Sequence, residues 1–201
     1  MVTAPAVPSP EFARRSLVLK AVPAGDVWRR MYETRFPDAL GWGPGLNRFS
    51  DPTGNAFGVV YLGSSAKVAF VETLLRDAAD GRGDDCVLQL AEIQARSLAS
   101  IRLKEPLRLV DLTGDGGLRM GVPSDVVGAS DQTLSRQWSL AFYNHADAPD
   151  GVFYPSRLNE ERCIALYHRA LAKVEAIATP RLMDCDLNLA AILDDLEISL
   201  T

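Results

Sequence analysis

Three short segments of the 201-residue chain carry side chains of the kinds that bind or transform ligands. They are Asn47-Arg48-Phe49-Ser50, Tyr61-Leu62-Gly63 with Glu72 downstream, and Tyr154-Pro155-Ser156-Arg157-Leu158-Asn159. Between them they offer guanidinium donors, a carboxylate and a hydroxyl. Each also has an ordinary structural reading. Arg48 fits a surface arginine at a strand edge, and Glu72 fits an ion pair with Arg76 one helical turn on. Ser156 fits a turn residue after Pro155. Other chemistries find less support. His145 falls at the end of an expected helix, where a cation suits the helix dipole, and His168 ends an expected strand. No GxSxG elbow is present. No GxGxxG follows a strand, and the Gly114, Gly116, Gly117 cluster lacks the Lys and Ser/Thr of a phosphate loop. Cys86, Cys163 and Cys185 are odd in number and far apart, so neither a disulfide framework nor a zinc site is expected. Three free thiols in a reducing compartment are expected instead.

The elements that must position these residues are short and interspersed. Strands are expected at Ser16–Ala21, Phe57–Leu62, Cys86–Ile93, Leu107–Leu112, Gly151–Tyr154, Cys163–Tyr167 and Val174–Ala178. Arg48-Phe49 is expected to begin another. A helix is expected after Gly25-Asp26, with Trp28, Met31 and Tyr32 on one face. A second, capped by Ser64 or Ser65, should run to about Ala79, and a turn should follow over Gly81–Asp85. Asp131 should cap an amphipathic helix bearing Leu134, Trp138, Ala141 and Phe142. Asp186 should cap a C-terminal helix bearing Leu189, Leu193 and Leu196. The stretch Phe36–Asn47 reads as loop, and residues 1–15 as a flexible N-terminal segment. The absence of a steady βαβ rhythm predicts a single α+β domain over 16–201. A net charge of −5 argues against a general nucleic-acid-binding face. No signal peptide or membrane span is evident, so the cytoplasm is the expected location.

Taken in order, Tyr61-Leu62-Gly63-Ser64, Val68-Ala69-Phe70-Val71-Glu72 and Asp150-Gly151-Val152-Phe153-Tyr154-Pro155-Ser156-Arg157 resemble the RES domain family. Val110-Asp111-Leu112-Thr113-Gly114, Gln137-Trp138 and Cys163-Ile164-Ala165-Leu166-Tyr167 add to the resemblance, which covers roughly residues 17–180. The family's namesake Arg, Glu and Ser would be Arg48, Glu72 and Ser156. Two positions depart from its usual pattern: Asn47, where Gly is frequent, and Gly63, where Ala is frequent.

The resemblance implies an ADP-ribosyltransferase-like fold, with a split antiparallel sheet flanked by helices that clamps NAD⁺ without a Rossmann motif. It implies the toxin of a type II toxin–antitoxin pair, with an Xre-type antitoxin as partner and self-association as a homodimer. DNA binding would then belong to the antitoxin. The implied reaction depletes NAD⁺ by breaking the nicotinamide–ribose bond, with NAD⁺ as substrate and neither cofactor nor metal required. The cationic leaving group needs no general acid, and the oxocarbenium-like transition state needs a nearby carboxylate, here Glu72. Arg48 would fork onto the diphosphate. Tyr61 would stack on the nicotinamide, Ser156 would bond the ribose or the nicotinamide side, and Arg157 would assist at phosphate or pair with Glu160 or Glu161. ADP-ribosyl transfer to protein or phosphate is one alternative, and a non-enzymatic partner-binding module another.

Overall fold

In a computed structural model, residues 7–43, 45–76, 86–185 and 189–201 are described. Among the described residues there are ten strands: β1 (Leu19–Val22), β2 (Val27–Glu33), β3 (Val59–Gly63), β4 (Cys86–Leu88), β5 (Arg96–Leu103), β6 (Leu107–Asp111), β7 (Gly151–Pro155), β8 (Arg162–Tyr167), β9 (Val174–Ala178) and β10 (Ile198–Leu200). The helices are α1 (Ala66–Phe70), α2 (Leu90–Gln94), α3 (Gly116–Met120), α4 (Asp125–Gly128), α5 (Thr133–Tyr143) and α6 (Leu189–Asp195). Eight strands form one sheet in the order β1-β6-β7-β8-β3-β2-β5-β9, antiparallel except for β6–β7. β10 and β4 form a separate parallel pair. The class is α+β, as expected.

The sheet is split. β2 pairs with β5 over seven residues and β3 with β8 over five, yet β2 and β3 meet at a single pair, Arg29↔Gly63. Beyond that rung the two strands diverge and leave a gap between two half-sheets. Central strands buried on both faces alternate between two cores, as a period of two requires. In β7 and β8, Val152, Tyr154, Cys163, Ala165 and Tyr167 enter a core built on α5, with Phe12, Phe49, Trp138 and Phe142. Phe153, Ile164 and Leu166 enter the opposite core with Val60, Leu62, Ile101 and Leu109. A third cluster packs Phe70 and Leu74 against Met31, Leu98, Ile93, Ile192 and Leu193.

Several expected elements differ. The segment after Asp26 is strand β2, not a helix. Trp28 faces one core with Tyr32 beside it, and Met31 faces another, which only two-residue periodicity allows. Arg48-Phe49 is a turn rather than a strand start. The run Cys86–Ile93 is strand only to Leu88, and α2 takes the rest. β5 was not anticipated, nor was β10. Residues 10–14 form a 3₁₀ turn instead of a loose tail, because Phe12 is buried edge-on against Trp138 and Phe142. Asp186, the end of the second helix at Ala79 and the turn Gly81–Asp85 lie outside the described residues.

Candidate active site

The gap between the half-sheets opens into a cleft of about 310 Å³. β2 forms one wall, β3 the other, and the chain from Val68 to Arg76 lies over them. Of the proposed residues, Arg48, Tyr61, Glu72 and Arg157 line it together, although they come from four separate segments. Ser156 sits directly behind Glu72.

The helix that carries Glu72 starts at Ser65, whose hydroxyl accepts from the Val68 amide at 3.1 Å, so the expected cap is confirmed. α1 then widens into a π-helix over Val71–Leu75. Such turns recur at functional sites. Arg76 reaches the Asn47 side-chain oxygen at 3.2 Å, while Glu72 turns to Ser156.

Ser156 is 2% exposed, and its hydroxyl donates to Glu72 Oε1 at 2.6 Å. It also accepts from the Leu158 amide at 3.2 Å, and its backbone amide donates to the Glu161 carbonyl at 2.7 Å. A hydroxyl has one proton, and Ser156 spends it on the carboxylate. It anchors Glu72, and with one lone pair taken by the Leu158 amide the other can accept from a ligand hydroxyl. Ser156→Ala is expected to lower kcat about tenfold with little change in KM, since an unanchored carboxylate samples other rotamers. A steady-state titration with substrate reads that split; a rise in KM alone would return Ser156 to direct substrate contact.

Arg48 projects from a pinned turn. Ser50 donates its amide to the Asn47 carbonyl and accepts the Asn47 amide on its hydroxyl. Phe49 is fully buried against Tyr154, with ring centres 4.8 Å apart. The Phe49 amide donates to the Tyr61 hydroxyl at 2.9 Å, and its carbonyl accepts from Ser139 at 2.7 Å. With Phe49 fixed inward, Arg48 is held in the cleft, 8% exposed, and donates a long 3.4 Å bond to the Val126 carbonyl. Burial lowers its pKa, Tyr154 and Glu72 oppose that, and the charges of Arg157 and Arg76 add to it. The guanidinium remains protonated at physiological pH. It is thus a desolvated cation among like charges, which an anionic ligand stabilises.

Tyr61 presents its ring to the cleft while its hydroxyl serves Phe49. Burial pushes its pKa up to about 12, so it enters as a neutral ring. Tyr154, from the segment that also carries Ser156 and Arg157, is a further wall residue. Its pKa is also raised by burial. Burial likewise raises that of the Cys163 thiol, followed by the charge of Glu72, and a thiol so held is no nucleophile. Both histidines are structural. His145 Nε2 bonds the Arg15 carbonyl at 2.9 Å, and His168 Nδ1 accepts from the Gly58 amide at 3.1 Å.

The charge of the cleft opposes that of the chain. Among the described lining residues are six arginines (29, 30, 48, 76, 96 and 157) and two acids, Glu33 and Glu72. In a protein of net charge −5, this concentrates positive potential at one concavity. Arg29, Arg30 and Arg96 were not singled out from sequence, because the strands that aim them were not recognised. At the two atypical positions, Asn47 holds Arg76, and Gly63 lets α1 approach closely. A Cβ there would lie 2.6 Å from Val68 Cγ1 and 3.0 Å from the Ala69 amide.

Comparison with known proteins agrees with this architecture. The RES domain model matches residues 21–189. The chain is 40% identical over 126 residues to the probable toxin y4kH of Sinorhizobium fredii (strain NBRC 101917 / NGR234), covering 63% of this chain and 99% of that protein. A chain in the crystal structure of the M. tuberculosis MbcT–MbcA toxin–antitoxin complex has a similar fold, with a TM-score of 0.62 and 19% identity over 87% of this chain and 90% of that one. The extent of the family match and the near-complete coverage of y4kH establish that this chain belongs to the RES domain family.

Proposed function

We propose that this chain is the toxin of a toxin–antitoxin pair and that it cleaves the nicotinamide–ribose bond of NAD⁺. The observation that carries the reading is the Glu72 carboxylate, held by Ser156 at 2.6 Å in an arginine-lined cleft with Arg48 and Tyr61. Arg48 binds the diphosphate as a bidentate fork. Tyr61 faces the nicotinamide ring. One Glu72 oxygen is engaged by Ser156, and the negative charge of the group stabilises the oxocarbenium character that develops at the ribose carbon as neutral nicotinamide departs. The leaving group is neutralised by taking the bonding electrons, so the residues need supply neither a proton to it nor a metal. The names of y4kH and of the MbcT–MbcA complex support the toxin role and an antitoxin partner. An antitoxin of the Xre type, which would bring the DNA contacts, suits the acidic balance of the chain.

The test is to incubate the purified chain with NAD⁺, with and without inorganic phosphate, and separate the products. Free nicotinamide is expected with an ADP-ribosyl product, whose mass identifies water, phosphate or protein as acceptor. Intact NAD⁺ from folded protein, with phosphate and cell extract also present, would overturn the enzymatic reading in favour of a partner-binding module.

A further inference from the structure

Phe36 is a large apolar side chain, 52% exposed, that lines the cleft rather than the outer surface. It lies just past β2, and its turn is fixed. The Phe36 amide donates to the Glu33 carbonyl at 3.0 Å, and the Thr34 amide to the Ala95 carbonyl at 2.8 Å. The hydroxyls of Thr34 and Ser97 are 3.0 Å apart. The far side of the loop is also tied down. Arg30 donates to the Ala39 and Gly41 carbonyls at 2.8 and 2.7 Å, and the Trp42 ring fills the space where a Cβ on Gly58 would stand. The Arg35 guanidinium, bonded to Glu33 at 2.5 Å, sits 5.0 Å from the Phe36 ring centre. With Arg35 near the ring and the turn held by backbone bonds, Phe36 offers a flat apolar surface at the rim of the cleft.

Its distance from the reacting end fits a second base. Gly63, Cys163 and Arg29 are in register at the sheet junction. Ser156, which holds Glu72 at 2.6 Å, lies two residues past Tyr154, the strand partner of Cys163, and this places the carboxylate at that end. The four steps along β2 from Arg29 to Glu33 span about 13 Å at the ordinary strand rise, and Phe36 lies beyond them. A separation of that order lies between the two bases of an extended dinucleotide, with the arginine-lined stretch between for its diphosphate. Resting on the NAD⁺ reading above, we propose that Phe36 is the platform on which the adenine base stacks, which makes the cleft selective for dinucleotides over mononucleotides.

The experiment compares wild type, Phe36→Ala and Phe36→Trp. It follows turnover of NAD⁺ and of nicotinamide mononucleotide, which has no adenine, and calorimetric binding of ADP, which has no nicotinamide. Phe36→Ala is expected to raise KM for NAD⁺ and the ADP dissociation constant about tenfold, the scale of one base–aromatic stack. kcat for NAD⁺ and kcat/KM for the mononucleotide should stay within twofold, and Phe36→Trp should restore affinity. Equal losses on both substrates, or an ADP affinity untouched by Phe36→Ala, would overturn the proposal. An untouched ADP affinity with weakened antitoxin binding would reassign Phe36 to the partner interface. Should wild type bind ADP through Phe36 yet leave NAD⁺ intact, the catalytic reading fails and the base platform stands.

Discussion

Glu72→Gln lowers NAD⁺ turnover on the order of 10³-fold, with the fold intact, as the expected result of removing one charge. Losing a preorganised electrostatic contact to the transition state costs roughly 10²–10³ in kcat, and Glu72 is the carboxylate nearest the proposed chemistry. The substitution is nearly isosteric. The glutamine carbonyl still accepts the Ser156 proton, so the contact of 2.6 Å persists. What disappears is the negative charge that a developing oxocarbenium ion requires. KM should change little, because the ground-state substrate is held mainly by the arginines and the rings. A thermal melt of the variant within a few degrees of wild type, together with the rate, separates chemistry from folding. Unchanged turnover would remove Glu72 as the catalytic carboxylate.

Arg48→Lys has the second largest expected effect, and it falls on binding. Lysine keeps the charge but loses the planar fork, so bidentate contact with a diphosphate becomes a single point contact. A bidentate charge-assisted pair reduced to one bond loses about 1.5–3 kcal/mol, or roughly 10- to 100-fold in affinity. Arg48 is poorly compensated in the ligand-free cleft, where its bond to Val126 is 3.4 Å long and Arg76 and Arg157 repel it. The unliganded variant should therefore be no less stable than wild type. Calorimetric titration with ADP-ribose checks the affinity, and a denaturant titration checks the stability. Retained affinity would reject Arg48 as the diphosphate anchor.

The candidate site residues were more legible in the sequence than the scaffold that positions them. Arg48, Glu72 and Ser156 stood out because they fall in ordered segments resembling one family, and the structure puts Arg48 and Glu72 on one cleft with Ser156 behind Glu72, from positions up to 108 residues apart. β7 and β8 were legible as unbroken apolar runs. β2 was not, because Trp28, Met31 and Tyr32 sit at spacings a helix also satisfies, and only the partner β5 decides between them. β5 itself alternates small and polar residues, Ser97, Ala99 and Ser100, with Leu98 and Ile101. Its burial comes from the sheet on both edges rather than from its own hydrophobicity. That Ser156 bonds Glu72 was not legible for a related reason. Which side chain takes a hydroxyl proton depends on where the π-turn swings Glu72, and helical wheels assume 3.6 residues per turn.

The single rung between Arg29 and Gly63 has a mechanical meaning. The half-sheets are like two plates joined by one backbone rung and by a shared core, in which Trp28 and Ile101 of one meet Val60 and Leu166 of the other, and the angle between them is the coordinate expected to be softest. On the proposed function, a dinucleotide touching both walls would add a further fastening. Occupancy then registers less as a change of shape than as lost compliance, with slower amide exchange along the facing edges of both plates. A molecule wedged between the plates without spanning them leaves that compliance in place.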